Sequence, residues 1–230
     1  MRYCISKIIK EIENVSRRGQ ESYNWFMVSD YDHQIEVDSS ERVGSESIEI
    51  PFALREYGEI PEGYVPVYVV IDRKSLQYVA GNGLRVEDNQ IGKKHPDLEK
   101  IFNEVNKEWT KPIERTRCVF AYPVHPSQAK LSKSYDPERH VIIEAMVDPN
   151  NVRTYVADSE YYTMAFERMI GIDGIPSLDW EADVRDSAER YWASAISLSE
   201  YLRGKKEGEY TSAEILIQDD IPTSRLKLVS

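Results

Sequence analysis

The sequence predicts an α+β protein, and three observations carry that prediction. Runs of β-branched and aromatic residues typical of strands occupy residues 65–71 and 140–147. Residues 98–109 place apolar side chains three and four positions apart, as in an amphipathic helix. Because helices and strands do not alternate regularly along the chain, a doubly wound parallel sheet is disfavoured.

Composition narrows the possible classes of protein. The chain has 230 residues, 41% of them hydrophobic and 30% charged, which suits a globular domain with a small appendage. Its net charge of −11 disfavours broad nonspecific nucleic-acid binding, because phosphate contacts need a basic surface. Cys4 and Cys118 lack the CxxC spacing of a thiolate site, so we expect neither a disulfide framework nor a metal.

The N-terminal quarter of the chain reads as an extension. Residues 5–15 have helical apolar spacing, and residues 47–52 alternate like a strand. A turn-rich segment at residues 57–63 predicts a boundary, so residues 1–63 form the extension and residues 64–230 the main domain. Neither a signal peptide nor an apolar run of about 20 residues is present, and we expect a cytoplasmic protein without a membrane partner.

The first elements of the main domain carry clear boundary signals. Pro66 near the start of the strand at residues 65–71 suits an edge position. Asp72 is placed to cap the helix that contains Leu76. Residues 81–83, Gly-Asn-Gly, end that helix, and Leu84 is expected to pack back on it.

The later elements follow in order. We predict a helix around 98–109, a strand at 115–122, a strand at 140–147 with a turn at 148–151, a strand at 152–157, a helix at 181–203, and strands at 213–217 and 224–229. On the second of these strands, Arg115 and Arg117 are two positions apart and are predicted to share one face, with Cys118 opposite.

One carboxylate begins the strand at residues 213–217. Alternation puts Ala213, Ile215 and Ile217 on one face. Glu214 then lies on the other face, with Leu216 and Gln218. Glu214 is therefore either a positioned acid that lines a cleft or an exposed charge on an edge strand.

Four segments in this order resemble the ADP-ribosyltransferase fold over residues 64–229. Residues 67–84 are similar to its first strand and capped helix, and residues 115–120 to its second strand. Residues 141–158 resemble a family hairpin, and residues 213–224 resemble the segment that carries the family's catalytic Glu. DNA- and RNA-targeting mono-ADP-ribosyltransferases and RNA 2′-phosphotransferases share this layout. The resemblance implies a mixed, split β-sheet core.

The resemblance also implies an activity, in which NAD is a substrate that is cleaved and ADP-ribose passes to an acceptor. Glu214 would be catalytic, because a carboxylate stabilises an oxocarbenium-like transition state. Arg115 and Arg117 would bind pyrophosphate through planar guanidinium groups. Tyr68 and either Tyr191 or Trp192 would contact the nicotinamide ring.

Two positions depart from the family pattern. Val69 follows the tyrosine of the first strand, where the family commonly has His or Arg. Ser212 stands two residues before Glu214, in place of the Glu or Gln of arginine- or asparagine-modifying members, and Glu209 is too far upstream to replace it. The expected acceptor is therefore a nucleic acid or a protein target other than arginine.

Simpler interpretations of the same residues stay open. Arg115 and Arg117 are also consistent with solvated charges that flank a strand. Tyr191 and Trp192 are consistent with core packing, and because they adjoin on a helix only one is expected to point fully inward. The four histidines lack metal-ligand spacing.

Two other functions fit the same fold: an RNA 2′-phosphotransferase-like enzyme and a non-catalytic binding module. By analogy, a stand-alone transferase of this kind suggests a toxin, a defence component or a phage-borne factor, with an antitoxin or inhibitor protein as a further partner.

Overall fold

The computed structural model describes residues 51–89, 91–109, 112–126, 135–171, 176, 178–204 and 210–229. The predicted helix at residues 5–15 lies outside this part, as do residues 1–50 of the predicted extension at residues 1–63. Within it, the chain forms seven strands and six helices, which confirms the α+β class.

The strands are β1 (Val65–Asp72), β2 (Val119–Ala121), β3 (His140–Val147), β4 (Thr154–Asp158), β5 (Ile196–Ser197), β6 (Ala213–Ile217) and β7 (Leu226–Leu228). The helices are α1 (Leu76–Asn82), α2 (Ile91–Lys94), α3 (Pro96–Trp109), α4 (Ser159–Ile170), α5 (Trp180–Ser194) and α6 (Leu198–Arg203).

The strands form two sheets. The first has the order β1-β3-β7 and the second the order β2-β6-β4-β5. Every pairing among the described strands is antiparallel, so the expectation of a mixed sheet is wrong. Two backbone hydrogen bonds between Tyr68 and Tyr122, at 2.9 and 2.8 Å, join the sheets.

Two hydrophobic cores lie on opposite faces of the second sheet. The first core joins the inner faces of both sheets with α1 and includes Val69, Ile143 and Ile215. The second core packs the other face of β6 against α3, α4 and α5 and includes Leu216 and Trp192. Alternation along β6 therefore feeds both cores, as the sequence predicts.

The signals around α1 act as predicted. Asp72 accepts a hydrogen bond from the Lys74 N–H at 2.8 Å and caps the turn that leads into the helix. Gly83 ends the helix with φ of +76°, a conformation that favours glycine. Leu84 is fully buried and pairs with Ile221 through backbone hydrogen bonds.

The predicted strand at residues 115–122 is wrong in its first half. Arg115–Arg117 is a 3-10 turn, and β2 begins only at Val119. The Asn89 side chain stabilises the turn by donating to the carbonyls of Arg115 and Cys118 at 2.8 and 2.9 Å. As a result Arg115 and Arg117 do not share a face: Arg115 is buried and Arg117 is exposed. Cys118 is buried in the same helix-covered core that the Arg115 side chain enters, so it does not lie opposite Arg115 as predicted.

The predicted hairpin over residues 141–158 is also wrong. β3 pairs with β1 and β7, whereas β4 pairs with β6 and β5 in the other sheet. The intervening turn is fixed toward the end of β6, because Asn151 and Arg153 both donate to Asp219, at 2.6 and 2.8 Å. The connection thus crosses between sheets instead of folding β4 back on β3.

The predicted helix at residues 181–203 is two helices. α5 ends at Ser194, Ala195 is extended, and a capping box between Ser197 and Glu200 starts α6. α4, which begins at Ser159 with Asp158 as its N-cap, is not among the predicted elements. The Asp158 carboxylate accepts hydrogen bonds from the N–H groups of Glu160, Thr211 and Ser212.

In the described part of the chain, none of the helices combines the length and the apolar character needed to cross a membrane.

Candidate functional site

The predicted catalytic carboxylate forms a buried ion pair. Glu214, at the start of β6, is 1% exposed, and so is Arg115. Arg115 Nη1 donates to Glu214 Oε1 at 2.7 Å. The structure therefore joins two of the predicted site residues, in the second core and away from solvent.

Tyr191 completes this contact from α5. Its hydroxyl donates to Glu214 Oε1 at 2.6 Å and accepts from Arg115 Nη1. Burial, together with Glu214, raises the pKa of Tyr191 well above its usual value. The phenol therefore stays protonated and remains a donor to the carboxylate.

A second carboxylate, which is not among the predicted site residues, contacts a different nitrogen of Arg115. Glu99 of α3 is buried, and its Oε1 is 3.4 Å from Arg115 Nε. Burial raises the pKa of Glu99, although Arg115 beside it favours the charged form. The single positive charge of Arg115 thus faces two carboxylates. When Glu99 is protonated, the negative charge of Glu214 alone balances that of Arg115.

Aromatic rings enclose the Arg115 guanidinium. Its central carbon lies 4.0 Å from the ring centre of Tyr162, 4.7 Å from Tyr191, 5.0 Å from Phe120 and 5.6 Å from Phe102. Such contacts stabilise a cation that has left water. Burial by itself would lower the pKa of Arg115, but Tyr191 and the two carboxylates raise it, so the group stays charged.

Trp192 is a core residue. Its indole nitrogen donates to the Phe102 carbonyl at 2.8 Å, and its ring packs edge-on against Tyr191. Both rings are fully buried, so the expectation that only one of the two points inward is wrong. Tyr191 faces Glu214 and Trp192 faces α3, and the space between three helices accommodates both.

Tyr68 lies at a different place, on the outer face of the first sheet. It stands opposite Glu144 of β3, which in turn stands opposite Lys227 of β7. Tyr57 donates to Glu144 at 2.5 Å, and the Tyr68 ring lies 5.3 Å from that of His125. Burial, followed by Glu144, raises the pKa of Tyr68.

The face that carries Glu214 continues to Tyr68. Phe120 and Leu216 are register partners across β2 and β6, and Tyr122 is bridged to Tyr68. Because side chains alternate, Glu214 lies on the face of Leu216, and Tyr122 on that of Phe120. Glu214, Tyr122 and Tyr68 thus lie along one continuous face of the two sheets, and α3, α4 and α5 cover its Glu214 end.

Val69 points away from this face. Its side chain is buried in the first core, as alternation next to Tyr68 requires. The absence of His or Arg at this position therefore removes nothing from the face that carries Tyr68.

Arg117 is separated from the other predicted residues. Its side chain is exposed and lines a cavity beside the 3-10 turn, whereas the side chain of Arg115 points into the second core. Arg117 precedes β2 and Tyr122 follows it, so Arg117 and Tyr68 lie toward opposite ends of that strand.

Two missed residues had recognisable signals. Glu99 lies between Leu98 and Phe102 on the apolar stripe of α3, and a carboxylate within such a stripe indicates a buried partner. Glu144 interrupts the apolar run at residues 141–147 of β3, and the same argument applies. The partners themselves, Arg115 and Tyr68, are distant in sequence, and only the fold brings them close.

No group of His, Cys, Asp and Glu among the described residues is arranged to bind a metal ion. Comparisons of the chain with protein-family models, curated proteins and solved structures found no match.

Proposed function

We propose that this protein is a mono-ADP-ribosyltransferase that cleaves NAD and transfers ADP-ribose to a nucleic acid or to a protein target other than arginine. The observation that carries the proposal is the continuous sheet face shared by Glu214, Tyr122 and Tyr68. It offers a carboxylate for the developing positive charge of the ribose and aromatic rings for the nicotinamide.

The proposal requires that Glu214 change partners. Arg115 and Tyr191 both contact Glu214 Oε1, and the side chain is 1% exposed. For catalysis they must release the carboxylate as NAD binds. Arg115 would then exchange one anion for another, from Glu214 to the pyrophosphate, which suits its planar pair of donors.

Nicotinamide release tests this function. The full chain is incubated with NAD and with single-stranded DNA, RNA or a protein mixture as acceptor. We expect turnover with one acceptor and a loss of about 100-fold or more in Glu214→Gln, the scale of removing one electrostatic transition-state contact. Glu189→Gln changes an exposed glutamate of α5 and should keep full activity.

A non-catalytic module on the same fold is the second candidate, and the burial of Glu214 favours it. A carboxylate with two partners and 1% exposure can serve stability alone. If neither nicotinamide release nor NAD binding by calorimetry is detected while Glu214→Gln lowers the free energy of unfolding, the transferase proposal fails and the module is supported.

A further inference from the structure

The cavity beside Arg117 has a volume of about 630 Å³. Its walls come from the C-terminal half of α3, the segment that precedes β2 and the residue after β6. Small-molecule sites have volumes of roughly 300–1,000 Å³, so the space suits a ligand of nucleotide size.

Three cations lie at the rim of this cavity. They are Lys107, Arg117 and Arg153, with Glu114 as the one carboxylate among the lining residues. Arg153 is already paired with Asp219 at 2.8 Å. Lys107 and Arg117 are exposed and make no ion pair with any residue in the described part of the chain. In a chain of net charge −11, these two cations make the cavity locally positive, which favours an anionic ligand.

A buried acceptor lies in the wall of the same cavity. Asn106 is 6% exposed, and its Nδ2 donates to the Ile113 carbonyl. Its Oδ1 has no hydrogen-bond partner among the described residues. Because Oδ1 has almost no accessible surface, a ligand in the cavity reaches it only if the Asn106 side chain turns toward the cavity. Leaving such an acceptor unpaired costs about 1–3 kcal/mol, and that turn onto a hydroxyl or amino group of a ligand would remove the cost.

Gln218 holds another part of the cavity wall in place. With its amide nitrogen toward Pro112, Gln218 donates to the Pro112 carbonyl at 2.7 Å and accepts from the Glu114 N–H at 2.6 Å. Gln218 itself is buried, at 8% exposure. These bonds fix the segment that precedes Arg117, so the cations and the Asn106 acceptor are held around one space.

We propose that this cavity binds a phosphorylated small molecule that also carries hydroxyl or amino donors, such as a nucleoside or sugar phosphate. Arg117 and Lys107 bind the phosphate, and Asn106 Oδ1 accepts from the hydroxyl or amino group. The site is separate from Glu214 and Tyr68, and the proposal does not rest on ADP-ribosyl transfer.

Calorimetry on the full chain with three probes tests the ligand class. ADP carries both features, adenosine lacks the phosphate, and inorganic phosphate lacks the sugar and base. We expect ADP to bind at least about tenfold more tightly than either, because each lacks one set of charge-assisted or buried contacts. Equal affinity for ADP and adenosine, or for ADP and inorganic phosphate, would overturn the proposal.

Variants locate the site. Arg117→Ala should weaken ADP binding about tenfold or more, since it removes a charge-assisted contact to phosphate. Arg190→Ala removes the same charge from an exposed site on α5 and should leave the affinity unchanged. ADP affinity that is equal in Arg117→Ala and the unchanged chain, or no ADP binding at millimolar concentration, contradicts the assignment.

A further pair of variants separates this site from the proposed active site. Tyr68→Ala and Glu214→Gln should both keep the Arg117-dependent binding of ADP, whatever they do to nicotinamide release. If Tyr68→Ala abolishes ADP binding and Arg117→Ala does not, the nucleotide occupies the face of the first sheet and the cavity proposal is wrong.

Discussion

Arg115 is the residue on which the centre of the second core depends. It brings one positive charge among four rings and pairs it with Glu214 and Glu99. Buried ion pairs are not reliably stabilising, but removing one partner leaves an uncompensated charge at a cost of about 3–5 kcal/mol. Lysine could not replace Arg115, because two guanidinium nitrogens serve three acceptors in a fixed plane: Nε donates to Glu99, and Nη1 donates to both Glu214 and the Tyr191 hydroxyl.

Glu99→Gln should change how stability depends on pH. Burial raises the pKa of Glu99 in the folded state, whereas in the unfolded chain it is about 4.3. The folded state therefore binds the proton more tightly, and this contribution to stability is present below about pH 4.3 and is lost as pH rises through the raised value. Glutamine is neutral throughout, so the variant should gain stability relative to the unchanged protein toward neutral pH.

Urea unfolding at a series of pH values measures this difference. Glu189→Gln, an exposed change on α5, is the control for the loss of one negative charge. Free energies of unfolding of Glu99→Gln and the unchanged protein that run parallel across about pH 4 to 8 would show that Glu99 does not titrate differently in the two states.

At the scale of elements, the spacing of apolar residues predicts the position of a strand or helix where burial of one face determines the structure. β1, β3, β6, α1 and α3 are found close to their predicted positions. The Arg115–Arg117 turn could not be predicted, because its conformation depends on Asn89 and on a distant carboxylate. The break between α5 and α6 was readable only from the capping box at Ser197, within an otherwise continuous helical pattern.

The candidate site is likewise predictable only in part. The choice of Glu214 and Arg115 depended on residue type and order, and the fold does bring these two residues into contact. Their burial could not be deduced, because it is produced by α4 and α5, whose packing is a long-range property. The prediction that Arg117 lies beside Arg115 assumes a strand, but these residues form a 3-10 turn.

The end of α1 offers a matched pair of glycine substitutions. Gly83 has φ of +76°, and a Cβ there would lie 2.3 Å from the Ile221 carbonyl oxygen. Gly83→Ala should therefore destabilise the protein by more than about 1 kcal/mol. Gly81 lies within the helix with open space around it, and Gly81→Ala should stabilise by up to about 1 kcal/mol.

Thermal unfolding of the two variants measures these effects. The expected result is a midpoint that falls for Gly83→Ala and stays equal or rises for Gly81→Ala. Equal shifts in both would mean that the contact between Gly83 and Ile221 does not constrain the backbone.

At the scale of the whole molecule, β6 makes the two cores interdependent. Ile215 belongs to the first core and Leu216 to the second. If β6 separates from one core, the apolar residues of the other core are therefore exposed as well. The described domain should therefore unfold in one cooperative transition.

A conservative substitution in one core, monitored from the other, tests this cooperativity. Ile143→Val in the first core should lower the free energy of unfolding by about 0.5–1.5 kcal/mol, as reported by tryptophan fluorescence in a background that keeps Trp192 of the second core and replaces Trp25, Trp109 and Trp180 by Phe. Val152→Ala changes an exposed side chain and should have little effect. A fluorescence transition that does not respond to Ile143→Val would show that the cores unfold separately.

The bridge between Tyr68 and Tyr122 has a mechanical consequence. We expect two hydrogen bonds to oppose sliding of the sheets past each other more than bending at the join. The angle between the sheets should then depend on the side chains of the first core behind the join, such as Val69 and Ile215. Larger or smaller residues at these core positions should therefore change the shape of the face that carries Glu214, Tyr122 and Tyr68, although none of the substituted residues lies on that face.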